Sequence, residues 1–165
     1  SECEQGVEIL SEAGMNVEFL RVISEEDLVA NQYILPPVIF RRCLYVVREN
    51  QRVLRAANAI KKENLEYFGE LMYQSHEGLQ HEYEVSCKEL DFLVNFSRKT
   101  PHVLGARMMG GGFGGCTINL VHQDHLKSYI DQVSAEYKQE FGIELDPILI
   151  RPSSGTFLES DFTSS

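Results

Sequence analysis

The stretch from Gly105 to Val121 constrains this chain more than any other, because half of its 12 glycines fall within the first eleven residues of that stretch. Gly110, Gly111, Gly112, Gly114 and Gly115 surround a single side chain, Phe113. Glycine alone reaches positive φ without steric penalty and lets a second backbone or a ligand approach closely. Consecutive glycines also leave amide N–H groups uncovered, and such groups converge into anion-binding nests. Two readings therefore stand together, a phosphate-side loop and a flexible hairpin connection.

The flanks narrow the choice. Val103–Met109 and Cys116–His122 read as strands on either side of the glycines. Gly110, Gly112 and Gly115 satisfy the spacing of a dinucleotide loop, but that site needs a helix opening from the loop. Here the loop runs into Thr117-Ile118-Asn119-Leu120-Val121, a strand, so the dinucleotide reading fails on context. No Gly-Lys-Ser/Thr follows, which excludes a P-loop, and the downstream segments of a protein kinase are missing.

The rest of the chain reads as helices before the hairpin and one after it. A short helix carries Cys3, Val7 and Leu10 and stops at Gly14. A second begins at Ser24, capped in Ser24-Glu25-Glu26-Asp27, and is punctuated by Pro36-Pro37. A long helix spans about Val38 to Lys62, with Phe40, Leu44, Val47, Leu54, Ala57 and Ile60 on its apolar side. Its arginines 41, 42, 48, 52 and 55 read as a solvated or domain-facing side rather than a phosphate clamp. Asn64 caps the next helix, with the stripe Leu65, Phe68, Met72, Leu79 and Tyr83, and short loops make these two helices antiparallel neighbours. Ser86-Cys87-Lys88-Glu89 reads as a capping box ahead of Leu90, Leu93 and Phe96. Asp124 is expected to cap an amphipathic helix that Gly142 stops, Pro147–Ile150 to form a further strand, and the tail from Ser153 onward to fray. The order implies an α+β fold, with helices packed on one face of a small, mostly antiparallel sheet.

Composition excludes several classes of function. Fifteen Lys and Arg against 25 Asp and Glu give a net charge of −10 and a pI near 4.9. That argues against a nucleic-acid surface, whose affinity rests on basic neutralisation of phosphates. No apolar run approaches the roughly 20 residues that span a bilayer, which argues against a membrane partner, and no signal peptide is evident at the start. Cys3, Cys43, Cys87 and Cys116 form no C-x-x-C pair, which favours reduced thiols in a cytoplasmic protein. The chain opens without methionine and is expected to be a fragment or an excised domain.

Metal and acid–base constellations are weak. His76 and His81 stand five apart, about 140° around a helix at ~100° per residue, whereas a zinc-protease pair shares one face. His122 and His125 read as surface histidines, and Glu63, Glu66, Glu70, Glu77, Glu82 and Glu84 as solvated faces without an acid–base pair.

The residues from Gly105 to Thr117 closely resemble the third signature motif of the GHMP small-molecule kinases, in the form that galactokinases carry. Gln74-Ser75-His76-Glu77, with the block from Tyr83 to Asp91, is similar to the galactokinase stretch leading into that motif, and Ser1-Glu2-Cys3 resembles an upstream segment. The resemblance implies that residues 1–165 are a C-terminal-type GHMP domain from an enzyme that phosphorylates galactose with ATP and Mg²⁺. It also implies that the catalytic residues lie in an N-terminal domain outside this chain, so that the isolated chain lacks kinase activity. Gly110, Gly111, Gly112, Phe113, Gly114 and Gly115 would line the phosphate side of the site. Met109 stands where many relatives carry threonine, so a hydroxyl contact there does not carry over. A non-catalytic sugar sensor on the same fold, and another GHMP kinase acting on a different alcohol, are the alternatives.

Overall fold

The computed structural model describes residues 1–151. Six helices and one hairpin follow in the order α1 (Glu2–Glu12), α2 (Glu25–Ala30), α3 (Pro37–Lys61), α4 (Leu65–His81), α5 (Lys88–Lys99), β1 (Val103–Met109), β2 (Cys116–Val121) and α6 (Leu126–Phe141). The α+β expectation holds. Among the described residues no helix is long and apolar enough to cross a membrane.

Local chemistry sets the helix boundaries. Ser1 and Glu4 form a capping box on α1, Ser24 caps α2 through the Asp27 amide, and Asn64 caps α4 through the Tyr67 amide. Pro37 starts α3, where its missing N–H costs nothing. Gly142, at φ +70°, ends α6 in the left-handed cap that glycine favours.

Several expectations need correction. On α3, Leu54, Ala57 and Ile60 of the expected apolar side are exposed, and the buried residues are Cys43, Tyr45, Val47 and Ala59. Ser86 caps nothing: its hydroxyl donates to Asp91 at 2.6 Å, and α5 starts from Cys87 without a side-chain cap. Asp124 falls inside a 3-10 turn, Gln123–His125, so α6 begins one turn later from His125. The α2 segment ends at Ala30 and yields to a 3-10 turn, Gln32–Ile34, well before the prolines. Residues 147–150 form no strand, and Ile148, Leu149 and Ile150 are exposed, because a strand exists only through its ladder and β2 pairs with β1 alone among the described residues. The expectation for the tail from Ser153 lies outside the described residues.

The apolar side chains form two main clusters. One joins α1, α2 and α3 through Leu10, Leu28, Cys43 and Val47, and the other joins α5, β1 and α6 through Leu93, Val103, Tyr129, Val133 and Tyr137. Helix α4 lies between them and is buried on more than the single stripe its sequence suggested. Leu65 is exposed, whereas Leu71, Met72, Tyr73, Ser75 and His76 are buried.

Two glycines let α4 sit directly on the hairpin. The strands pair antiparallel, with Met109 opposite Cys116, and a bulge at Leu104 interrupts the ladder between Val103 and Gly105. A Cβ on Gly69 would stand 2.0 Å from the Leu104 carbonyl oxygen, and one on Gly105 would stand 2.4 Å from the Gly69 Cα. Backbone therefore meets backbone at this point, which fixes how the hairpin leaves the helices.

Candidate functional site

The glycine loop closes the hairpin beyond Met109. Gly110, Gly112, Gly114 and Gly115 all have positive φ, from +82° to +133°, and Phe113 joins them at +60°. A run of this kind is open to glycine and strained for a bulky residue, and such strain gathers at functional sites. Phe113 nevertheless projects into solvent, with 78% of its surface exposed.

A second loop holds the first in place. The Phe113 N–H donates to the Val85 carbonyl at 2.7 Å. A Cβ on Gly112 would stand 2.1 Å from that same oxygen, so Gly112 is required by close approach to a neighbouring backbone. Gly110, Gly111 and Gly114 differ, for among the described residues, adjacent ones aside, nothing lies within 4 Å of a Cβ placed on them. The loop thus has one glycine fixed by the chain's own packing, and three whose open side faces outward.

The arginines of α3 brace the second loop. Glu84, itself at φ +58°, takes Arg41 at 2.9 Å and Arg42 at 2.8 Å, and Arg42 also donates to the Glu82 carbonyl at 3.1 Å. Arg48 bridges Glu25 and Glu82, at 2.7 and 3.3 Å. Arg41, Arg42 and Arg48 are thus neither a bare solvated side nor a free phosphate clamp. Glu77 pairs with Arg98 at 2.7 Å, so Glu77, Glu82 and Glu84 are ion-paired rather than merely solvated.

Beneath both loops lies a polar network that the sequence reading missed. His76, 3% exposed, accepts the Met108 N–H at its Nδ1, 3.3 Å away, and stands 3.2 Å from Asp91 through its Nε2. That acceptor role places the proton on Nε2, facing the carboxylate. Asp91 receives the Ser86 hydroxyl at 2.6 Å and the Gln80 amide at 2.8 Å. The network ties α4, the second loop and the first turn of α5 to the strand that leads into the glycines. His76 stands four residues after Met72 and three before Leu79, on the stripe of α4, but a histidine at such a position does not by itself announce a buried partner.

Burial pushes His76 below its ordinary value of 6.5, against an opposing pull from Asp91. The unfolded chain therefore takes up a proton as pH falls below 6.5, while the folded chain resists it. Stability is expected to fall between about pH 7 and about pH 5. Urea unfolding midpoints across that range should show a steeper loss for the wild type than for His76→Gln, and equal slopes would remove His76 from the acid sensitivity.

None of these groups is placed for proton transfer at the loop. His76 is sealed under β1, and the loop itself offers only main-chain donors and one aromatic ring. On the other side of Met109 an apolar cavity of about 500 Å³ opens between α3, α4 and the hairpin, lined by residues that include Val53, Phe68, Met72, Ile118 and Leu120. What the arrangement can do is present a glycine-rich edge, tied to the Val85 turn and exposed at Gly110 and Gly111, to something outside this chain. No group of three His, Cys, Asp or Glu among the described residues is set to hold a metal. His122 and His125 are exposed, and the His125 ring stacks on His102 at 3.6 Å.

Residues 56–139 match the family described as "GHMP kinases C terminal". The chain belongs to the GHMP kinase family. The matched span runs from the end of α3 through α4, α5 and the hairpin into α6, and so contains the glycine loop, the second loop and the His76 network. Within the family, the chain is 38% identical to a galactokinase of Clostridium beijerinckii over 157 residues, covering 94% of this chain and 40% of that protein. It is 50% identical to a galactokinase of Clostridium perfringens over 104 residues, 63% of this chain and 27% of that protein. The solved structure of Lactococcus lactis galactokinase complexed with galactose superposes with a TM-score of 0.82 at 34% identity, over 87% of this chain and 37% of that one. The chain thus spans well under half the length of the curated relatives it matches.

Proposed function

We propose that this GHMP kinase domain is the C-terminal part of a galactokinase, which transfers the terminal phosphoryl group of ATP to galactose, and that its role is to close the active site with the loop Gly110–Gly115. The observation that supports this reading is the exposed glycine loop, hydrogen-bonded to the Val85 turn, in a domain 34% identical to the matching part of a galactose-bound galactokinase. Phosphoryl transfer depends on positioning and charge stabilisation more than on covalent help from the protein. Amide donors held in advance where charge develops suit that task, because they need no reorganisation during the reaction.

Gly110, Gly111 and Gly114 would approach the phosphates of ATP, Gly112 and the Val85 carbonyl would hold the loop in place, and Phe113 would cover its edge. The donor set fits phosphate and not Mg²⁺, so we assign the metal to ligands in the N-terminal part, which would be the domain's principal partner. Four free cysteines accord with a reducing, cytoplasmic setting.

Two preparations test the reading. The full-length protein is expected to convert galactose and ATP to galactose 1-phosphate and ADP, and the 165-residue chain alone to give none. Turnover by the isolated chain would place catalytic groups within it and overturn the division of labour. A full-length protein that folds and binds galactose without turnover would favour a sugar sensor instead.

A further inference from the structure

Helices α1 and α3 cross where Gly6 faces Cys43, and a Cβ on Gly6 would stand 2.3 Å from the Cys43 sulfur. Cys3 lies one turn earlier on α1, on the same side as Gly6, and packs against the cluster that contains Cys43. On its other side the Cys3 sulfur is 3.9 Å from the Tyr83 hydroxyl, and the Arg42 guanidinium lies over the Tyr83 ring at 5.5 Å. Cys43 is fully buried, whereas Cys3 is half-buried at the domain surface. Two thiols therefore share one helix crossing, Cys3 partly exposed beside the Tyr83 hydroxyl and Cys43 buried behind it.

We propose that Cys3 and Cys43 are a peroxide-reactive dithiol, in which Cys3 attacks the oxidant and Cys43 resolves the product into a disulfide that clamps α1 to α3. The Cys3 sulfur attacks one peroxide oxygen, an S–O bond forms as the O–O bond breaks, and the departing oxygen leaves as alcohol, or as water from hydrogen peroxide. Cys43 then attacks the sulfenic sulfur; the S–S bond forms, the S–O bond breaks, and the hydroxyl leaves as water with the Cys43 proton. The two sulfurs lose two electrons and the peroxide gains them.

The electrostatics follow the same order of events. Hydrogen bonds from Cys43 and Tyr83 pull the Cys3 thiol below its ordinary range, and only the thiolate is strongly nucleophilic. Cys43 is held up chiefly by its hydrogen bond to Cys3, then by burial and by the Cys3 charge. Conversion of Cys3 to a neutral sulfenic acid removes that charge and frees Cys43 for the second step. The inference does not depend on the kinase reading.

The test is brief treatment of the reduced full-length protein with hydrogen peroxide, followed by alkylation, trypsin and mass spectrometry without reductant. Trypsin cuts after Arg21, Arg42 and Arg48, so the peptide ending at Arg21 and the peptide Cys43–Arg48 travel together only if bridged. The bridged pair, two hydrogens lighter and released by dithiothreitol, is expected in the wild type and absent from Cys3→Ala. In Cys43→Ala, Cys3 is expected to accumulate as a sulfenic acid captured by dimedone. If that variant fails to fold, the wild type alone decides. Alkylatable Cys3 and Cys43 after exposed Cys116 has been oxidised would overturn the proposal, as would persistent wild-type Cys3 sulfenic acid without the bridge.

Discussion

Gly69→Ala is expected to destabilise the 165-residue chain by about 3 kcal/mol or more, a fall in Tm on the order of 10 °C for a domain of this size. Alanine is the better helix former by about 1 kcal/mol, so propensity alone predicts the opposite sign. Packing decides it, because the new Cβ would meet the Leu104 carbonyl oxygen at 2.0 Å, and a backbone atom cannot swing aside as a side-chain tip can. Gly105→Ala strikes the same contact from the strand side, where the Gly69 Cα would lie 2.4 Å away. The double variant should therefore cost less than the two single losses added together, since one displacement of α4 from β1 relieves both clashes. A Gly69→Ala chain with unchanged or raised Tm would show that α4 and the hairpin are not held by this contact.

That pair of glycines illustrates what the sequence withheld. Caps and periodicity placed the start of α4 and both strands within a residue of their observed ends, although the α4 stripe ran on to Tyr83, past the end at His81. It could not show that Gly69, alone inside a helix, answers Gly105 in a strand. That correspondence exists only once the Leu104 bulge aims a carbonyl at the helix. The stripe expected for α4 erred for the same reason. A helix packed between α3 and a hairpin buries more than one face, and the 3.6-residue pattern of a one-sided helix is then diluted.

The caps that failed, Ser86 and Asp124, carry the right residue types for an N-terminus, but tertiary partners claimed them. Asp91 draws the Ser86 hydroxyl, and a 3-10 turn absorbs Asp124. The candidate site was legible as a position and a composition, a glycine run between two strands. Its support was not, because Val85, Asp91 and His76 reach it from other elements. The arginine run needed Glu84 and Glu82 beside it before its role as a brace could be seen.

The site's own glycines separate fold from function. In the full-length protein, Gly112→Val is expected to lower activity severely, but its side chain would collide with the Val85 carbonyl and break the Phe113–Val85 hydrogen bond, so loss of loop structure accounts for it. Gly111→Ala is the sharper probe. Among the described residues, its own chain neighbours aside, no atom lies within 4 Å of the added Cβ, and Gly111 is outside the positive-φ set. Its Tm should match the wild type. Under the proposed function the new methyl group would intrude on the phosphates or on the opposing domain, and kcat should fall on the order of 10²-fold, the scale of a misplacement of about 1 Å. KM for galactose should change far less, because under that reading the sugar contacts lie in the N-terminal part. Wild-type kcat in Gly111→Ala, alongside a collapsed Gly112→Val, would reduce the loop to a structural clip between β1 and the Val85 turn and take the glycine amides out of the mechanism.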